Sequence, residues 1–208
     1  EAGFRDAEQS ARWRERAREM VERYVDGLDP DRPPRALERR VAARTTRLAV
    51  SGRVDRLDER DGALVVVDYK TGRRPLGVDD ARSSLALALY AVAAARTLRL
   101  PCRRVELHHL PTGRVLAWEH TEGTLARHVA RAEAIAADAV AATDALRARA
   151  SPDVAFPPRP GPLCSWCDLR RHCPEGQAAG PARRPWDGLE RVPGDLDGDP
   201  APDPAPVC

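Results

Sequence analysis

The stretch that most constrains this chain is Asp61-Gly62 followed by the apolar run Leu64-Val65-Val66-Val67. Asp-Gly between two β-rich segments predicts a tight hairpin, because both turn positions need positive φ. The segments it joins are Gly52–Asp58 and Ala63–Lys70. A strand with no polar residue in alternation is buried on both faces, so Ala63–Lys70 reads as a central strand. That strand nevertheless ends in polar residues, Asp68-Tyr69-Lys70-Thr71-Gly72. The polar end of a buried strand is where chemistry is sought.

Around this hairpin the pattern predicts a helix over 6–26, with Trp13, Ala17, Met20, Tyr24 and Val25 on one side. Strand-like sequence runs from Ala36 to Val50. A second helix is expected from Asp79 to Leu98, apolar nearly all round and therefore buried. Arg104–Leu110 and Arg114–His120 read as a further hairpin, and Glu122–Arg149 as a long helix. The order is helix, three strands, helix, two strands, helix, then a cysteine-bearing loop. Three segments follow: a core over 1–150, a cysteine segment over 151–179, and a Pro-, Gly- and Asp-rich tail over 180–208. The tail offers too little apolar surface to offset its ordering entropy and is expected to be disordered.

Charge narrows the function classes. With 34 basic and 32 acidic residues the net charge is +2, which excludes a polycationic coat but not a local basic groove. No run of about 18 apolar residues is present, so no membrane span is expected. There is no signal-peptide pattern, and five cysteines make an odd number. These features favour a metal site over disulfides and a cytoplasmic protein. Lys70 is the only lysine, which leaves 33 arginines. In a chain that uses arginine so freely, a retained lysine marks a position where a compact, titratable ammonium is needed, although chance survival is the competing account.

Asp68 and Lys70 are two apart on one strand and so project from one face. Asp55, in Gly52-Arg53-Val54-Asp55, can reach the same face from the neighbouring strand. Two convergent carboxylates suit Mg²⁺ or Mn²⁺. An ammonium beside them can orient a water and stabilise charge on a phosphoryl oxygen. The alternative is a surface hairpin with ordinary ion pairs.

The residues Gly52-Arg53-Val54-Asp55-Arg56-Leu57-Asp58 and Val67-Asp68-Tyr69-Lys70-Thr71-Gly72 resemble the RecB-type nuclease family of the PD-(D/E)XK superfamily. The resemblance runs from about Trp13 to Gly176. It implies an α/β restriction-endonuclease-like core, a mixed central sheet flanked by helices, acting on DNA as a metal-dependent exonuclease in repair or recombination. It also implies Asp55 and Asp68 as metal ligands, Lys70 as the catalytic lysine and Tyr90 as a site residue on the following helix. Ala86 stands where the family has a Gln, and no His precedes His108. The alternative is an inactive nuclease-like DNA-binding module serving a helicase partner.

Cys164, Cys167 and Cys173 have the spacing C-x2-C-x5-C, which suits a soft metal or an iron–sulfur cluster. The motif resembles that of AddB-like and CRISPR-adaptation nucleases, which implies a 4Fe-4S cluster whose fourth cysteine lies upstream of the core. No cysteine fills that place here. With the absent His and Met, this leads to the expectation that residues upstream of Glu1 are missing. Zn²⁺ held by Cys164, Cys167, Cys173 and His172 is the alternative. Arg73, Arg74, Arg170 and Arg171 border the two sites, where phosphate contact and plain solvation are both open. Buried structural roles are expected for His108 and His109.

Overall fold

Asp61 and Gly62 adopt φ of 51° and 76°, the left-handed pair that an Asp-Gly hairpin turn requires. They join β2 (Ala49–Arg60) to β3 (Ala63–Lys70) in antiparallel register, from Arg60 opposite Ala63 to Arg56 opposite Val67. A computed structural model describes residues 3–189. These contain a five-stranded sheet in the order β1-β2-β3-β4-β5, with β1 at Ala36–Arg44, β4 at Cys102–His109 and β5 at Arg114–Glu119. All pairs are antiparallel except β3 with β4. A parallel pair needs a crossover, and α2 (Val78–Ser83) with α3 (Leu85–Leu98) supplies it. The fold is α/β, a mixed sheet flanked by helices; the long helices are α1 (Ala7–Asp26) and α4 (Glu122–Arg147).

The chain divides into two compact units, Glu19–Ala141 and Glu1–Arg18 with Ala142–Cys208. In the first, Leu57, Leu64, Val66, Val105 and Leu107 form one apolar cluster with Leu87, Ala91 and Ala94 of α3. Leu57 and Leu64 are completely buried, so truncating either to Ala would cost about 2–5 kcal/mol. No helix among the described residues is long and apolar enough to cross a membrane.

Two expectations are corrected. The single helix over 79–98 is two, because Ser84 is extended (φ −65°, ψ 108°) and caps α3, its side chain accepting the Leu87 N–H. The strand-like run from Ala36 to Val50 is broken by a turn in which the Thr45 N–H donates to Leu48 O at 2.8 Å. Thr45 Oγ1 also donates to Glu133 of α4, and the second strand starts at Ala49.

The second unit carries the cysteine segment as short helices, α5 (Pro152–Ala155) and α6 (Pro174–Ala178), with 3₁₀ turns at Pro162–Trp166 and Arg170–His172. The chain remains placed beyond Gly180, to a 3₁₀ turn at Pro185–Leu189. The Arg183 N–H donates to Ser165 O at 2.8 Å, and its guanidinium sits 5.6 Å from the Trp166 ring centroid. Trp13 Nε1 donates to Leu189 O at 3.1 Å. The expected disordered tail thus begins with residues that make specific contacts, and its remainder, 190–208, lies outside the described residues.

Candidate active site

Asp68 and Lys70 continue the face of β3 that carries Leu64 and Val66, the face packed against α3. Their polar ends meet: Lys70 Nζ lies 2.6 Å from Asp68 Oδ2. The last β2–β3 pair is Arg56 with Val67, and Asp55 and Asp68 are the next residue of each strand. Asp55 Oδ2 accepts the Tyr69 N–H at 3.0 Å, which fixes the carboxylate against the neighbouring strand. Lys70 is about half exposed, whereas the Asp68 side chain keeps only 18% of its exposure. The hairpin thus places two carboxylates and the only lysine at one strand end.

Asp68 Oδ2 is buried and makes no well-aligned hydrogen bond; the contact with Lys70 is an ion pair without hydrogen-bond geometry. A buried, under-satisfied carboxylate oxygen costs free energy unless something else occupies it. An oxygen donor pair of this kind fits Mg²⁺ or Mn²⁺, which take one or two protein carboxylates and keep several waters. No group of three or more His, Cys, Asp or Glu side chains is arranged for a metal among the described residues.

Tyr90, half-buried on α3, lies against β2, where its ring covers Gly52. Arg74 is held by Asp80 at 2.6 Å, and this partner keeps the Asp80 carboxyl below its ordinary range despite partial burial. Arg73 is half-buried and engaged within the chain. In the other unit Arg170 donates to the carbonyls of Gln177, at 3.0 Å, and Gly180. Arg171 is exposed and donates to His172 Nε2 at 2.9 Å. Cys164, Cys167 and Cys173 are free thiols. Cys164 Sγ accepts the Gly161 N–H at 3.4 Å and Cys173 Sγ that of Gly176 at 3.3 Å, but the three do not form a metal-binding group.

Behind the site lies a network that sequence reasoning missed. Val65, Val67 and Tyr69 pair with Arg104, Glu106 and His108, so the opposite face of β3 meets charged residues of β4. Glu106 is 2% exposed. Arg60 donates to it at 2.7 and 3.0 Å, Arg104 at 2.7 Å and His108 Nε2 at 3.1 Å. Burial alone would raise the Glu106 pKa, but these donors overcome it and hold the carboxyl well below its usual range. Arg56 pairs with Asp58 at 2.6 Å, and Tyr24 O–H donates to His108 Nδ1 at 2.9 Å. Tyr69 stacks edge-on against Tyr24 and His108. His109 bonds Gly72 O and Thr112 Oγ1, both at 2.7 Å, which gives it and His108 the structural roles expected. The signal was the alternation Arg56-x-Asp58-x-Arg60 and Arg104-x-Glu106-x-His108, which reads as a solvated face unless two such strands are known to share a covered sheet.

A mixed α/β sheet that carries Asp55 on one strand and Asp68 and Lys70 at the end of the next offers the groups that divalent-metal chemistry on a phosphodiester requires. The chain belongs to the PD-(D/E)XK nuclease superfamily, whose family model matches residues 1–174. Proteins of that superfamily are in general hydrolytic nucleases that use divalent metal ions. A search of curated proteins found no match.

Proposed function

We propose that the protein is a Mg²⁺- or Mn²⁺-dependent deoxyribonuclease of RecB-like type, an exonuclease of DNA repair or recombination that works with a helicase. The observation that carries this reading is the Asp68–Lys70 pair facing Asp55 across the hairpin. Asp55 and Asp68 would hold the metal, which supplies Lewis-acid polarisation of the scissile phosphate when bound. Lys70 Nζ, anchored by Asp68 and half exposed, orients the attacking water and stabilises negative charge on the phosphoryl oxygen. The Tyr69 N–H fixes Asp55, so the carboxylate needs no reorganisation as charge develops. Cys164, Cys167 and Cys173 are a separate reading, a structural 4Fe-4S or Zn²⁺ site, supported by their spacing and by the N–H groups donated to two of the sulfurs.

The experiment is end-labelled single- and double-stranded DNA with and without EDTA, using the wild type and Asp55→Asn. Metal-dependent cleavage lost in Asp55→Asn supports the enzyme. Metal-independent DNA binding without cleavage in the wild type supports the second reading, a binding module that has lost catalysis. That reading is favoured by one observation, Ala86 at the position where the resemblance has a Gln.

A further inference from the structure

Gly52 has no conformational reason to be glycine. Gly62 and Gly113 carry positive φ, whereas Gly52 lies inside β2 with backbone open to any residue. What it lacks is space. A Cβ built there would lie 2.4 Å from Tyr90 Cε1, 3.3 Å from Cζ and 3.4 Å from Cδ1. Ordinary contact begins at about 3.4 Å, so the ring would have to withdraw by about 1 Å. The atom beside the closest one, Cζ, bears the hydroxyl.

We propose that Gly52 is a positioning residue: its bare Cα is the seat on which the Tyr90 ring rests, so that the ring holds its hydroxyl beside β2 for a substrate phosphate oxygen. This rests on the nuclease reading above. Strand β2 thereby locates two site groups, Asp55 through its own side chain and Tyr90 through the absence of one. A shift of about 1 Å in a positioning group can cost about a hundredfold in rate.

The test is a double-mutant cycle on the full chain, comparing wild type, Gly52→Ala, Tyr90→Phe and the double variant in single-turnover cleavage of DNA. Gly52→Ala and Tyr90→Phe should each lower kcat by about ten- to a hundredfold with KM nearly unchanged, and the double variant should be no slower than the worse single. Multiplying losses, or wild-type kcat in Gly52→Ala, would overturn the proposal. A parallel cycle reads thermal stability: Gly52→Ala should lower Tm, and the same change in a Tyr90→Ala background should not. If Gly52→Ala fails to fold, Gly52→Ala/Tyr90→Ala should fold; its failure would equally overturn the seat. If the wild type does not cleave DNA, the nuclease reading falls while the stability cycle still decides whether Gly52 seats the ring.

Discussion

Replacing Lys70 by arginine isolates what an ammonium does in this site. Thirty-three of the 34 basic residues are already arginine, so the change is as mild as this chain permits. Lys70 Nζ meets Asp68 Oδ2 at 2.6 Å, and that oxygen has no well-aligned hydrogen bond. A guanidinium fork would supply one, gripping Asp68 bidentately. Folding should therefore be unharmed, with Tm unchanged or slightly raised. Chemistry should suffer, because a carboxylate held by a fork is withdrawn from the metal and the larger planar group fills the place of the attacking water. Loss of one preorganised charge-stabilising group costs about 10²–10³ in kcat, or about 2.7–4 kcal/mol. We predict a fall in kcat of at least about a hundredfold in Lys70→Arg, read by single-turnover cleavage of labelled DNA with Mg²⁺ or Mn²⁺. DNA affinity, read by fluorescence anisotropy in EDTA, should stay within about twofold because net charge is preserved. Wild-type turnover in Lys70→Arg would refute the catalytic assignment.

Glu106 makes stability acid-sensitive: its folded pKa is depressed, so its contribution is present above the ordinary carboxylate value of 4.5 and is lost as pH falls through the folded value. A Tm–pH series should show a steep acid limb that Glu106→Gln flattens while lowering Tm near neutrality, since breaking a buried charge set costs about 3–5 kcal/mol. Arg183→Ala removes the guanidinium from Trp166 without removing a fluorophore, so tryptophan emission should shift to the red and the cysteine segment should become more protease-sensitive; an unchanged spectrum would contradict the contact. Anaerobically purified protein should be brown and contain iron and sulfide, and stoichiometric zinc without iron would defeat the cluster reading of Cys164, Cys167 and Cys173.

Much of the fold was legible because the informative residues act locally. The Asp61-Gly62 turn, the apolar run at Leu64–Val67 and the Asp68–Lys70 spacing each encode their geometry within a few residues, and all three recur in the structure. The division at Ser84 was illegible from apolar content, since the break depends on one side chain choosing to cap a helix rather than lie within it. The charged layer around Glu106 was hidden for another reason. Its residues come from β2, β4 and α1, and only the sheet order reveals that they face each other. Gly52 fell between these cases: its place beside the site was visible, but the ring that needs its space comes from α3, 38 positions further along the chain.

The two-residue turn at Asp61-Gly62 has a kinetic side. The strands bearing Asp55, Asp68 and Lys70 are consecutive, and a hairpin closes on a timescale of about 1–10 μs because its loop entropy is small. The parallel β3–β4 pair must wait for the α2–α3 crossover. Alignment of the two carboxylates is thus decided by local chain closure, before the long-range sheet can correct it. A single residue inserted into the turn would slip the pairing by one and turn one carboxylate to the opposite face. Length variation should accordingly be tolerated in the crossover between Thr71 and Gly77 and selected against at the turn, where one inserted residue would part Asp55 from Asp68.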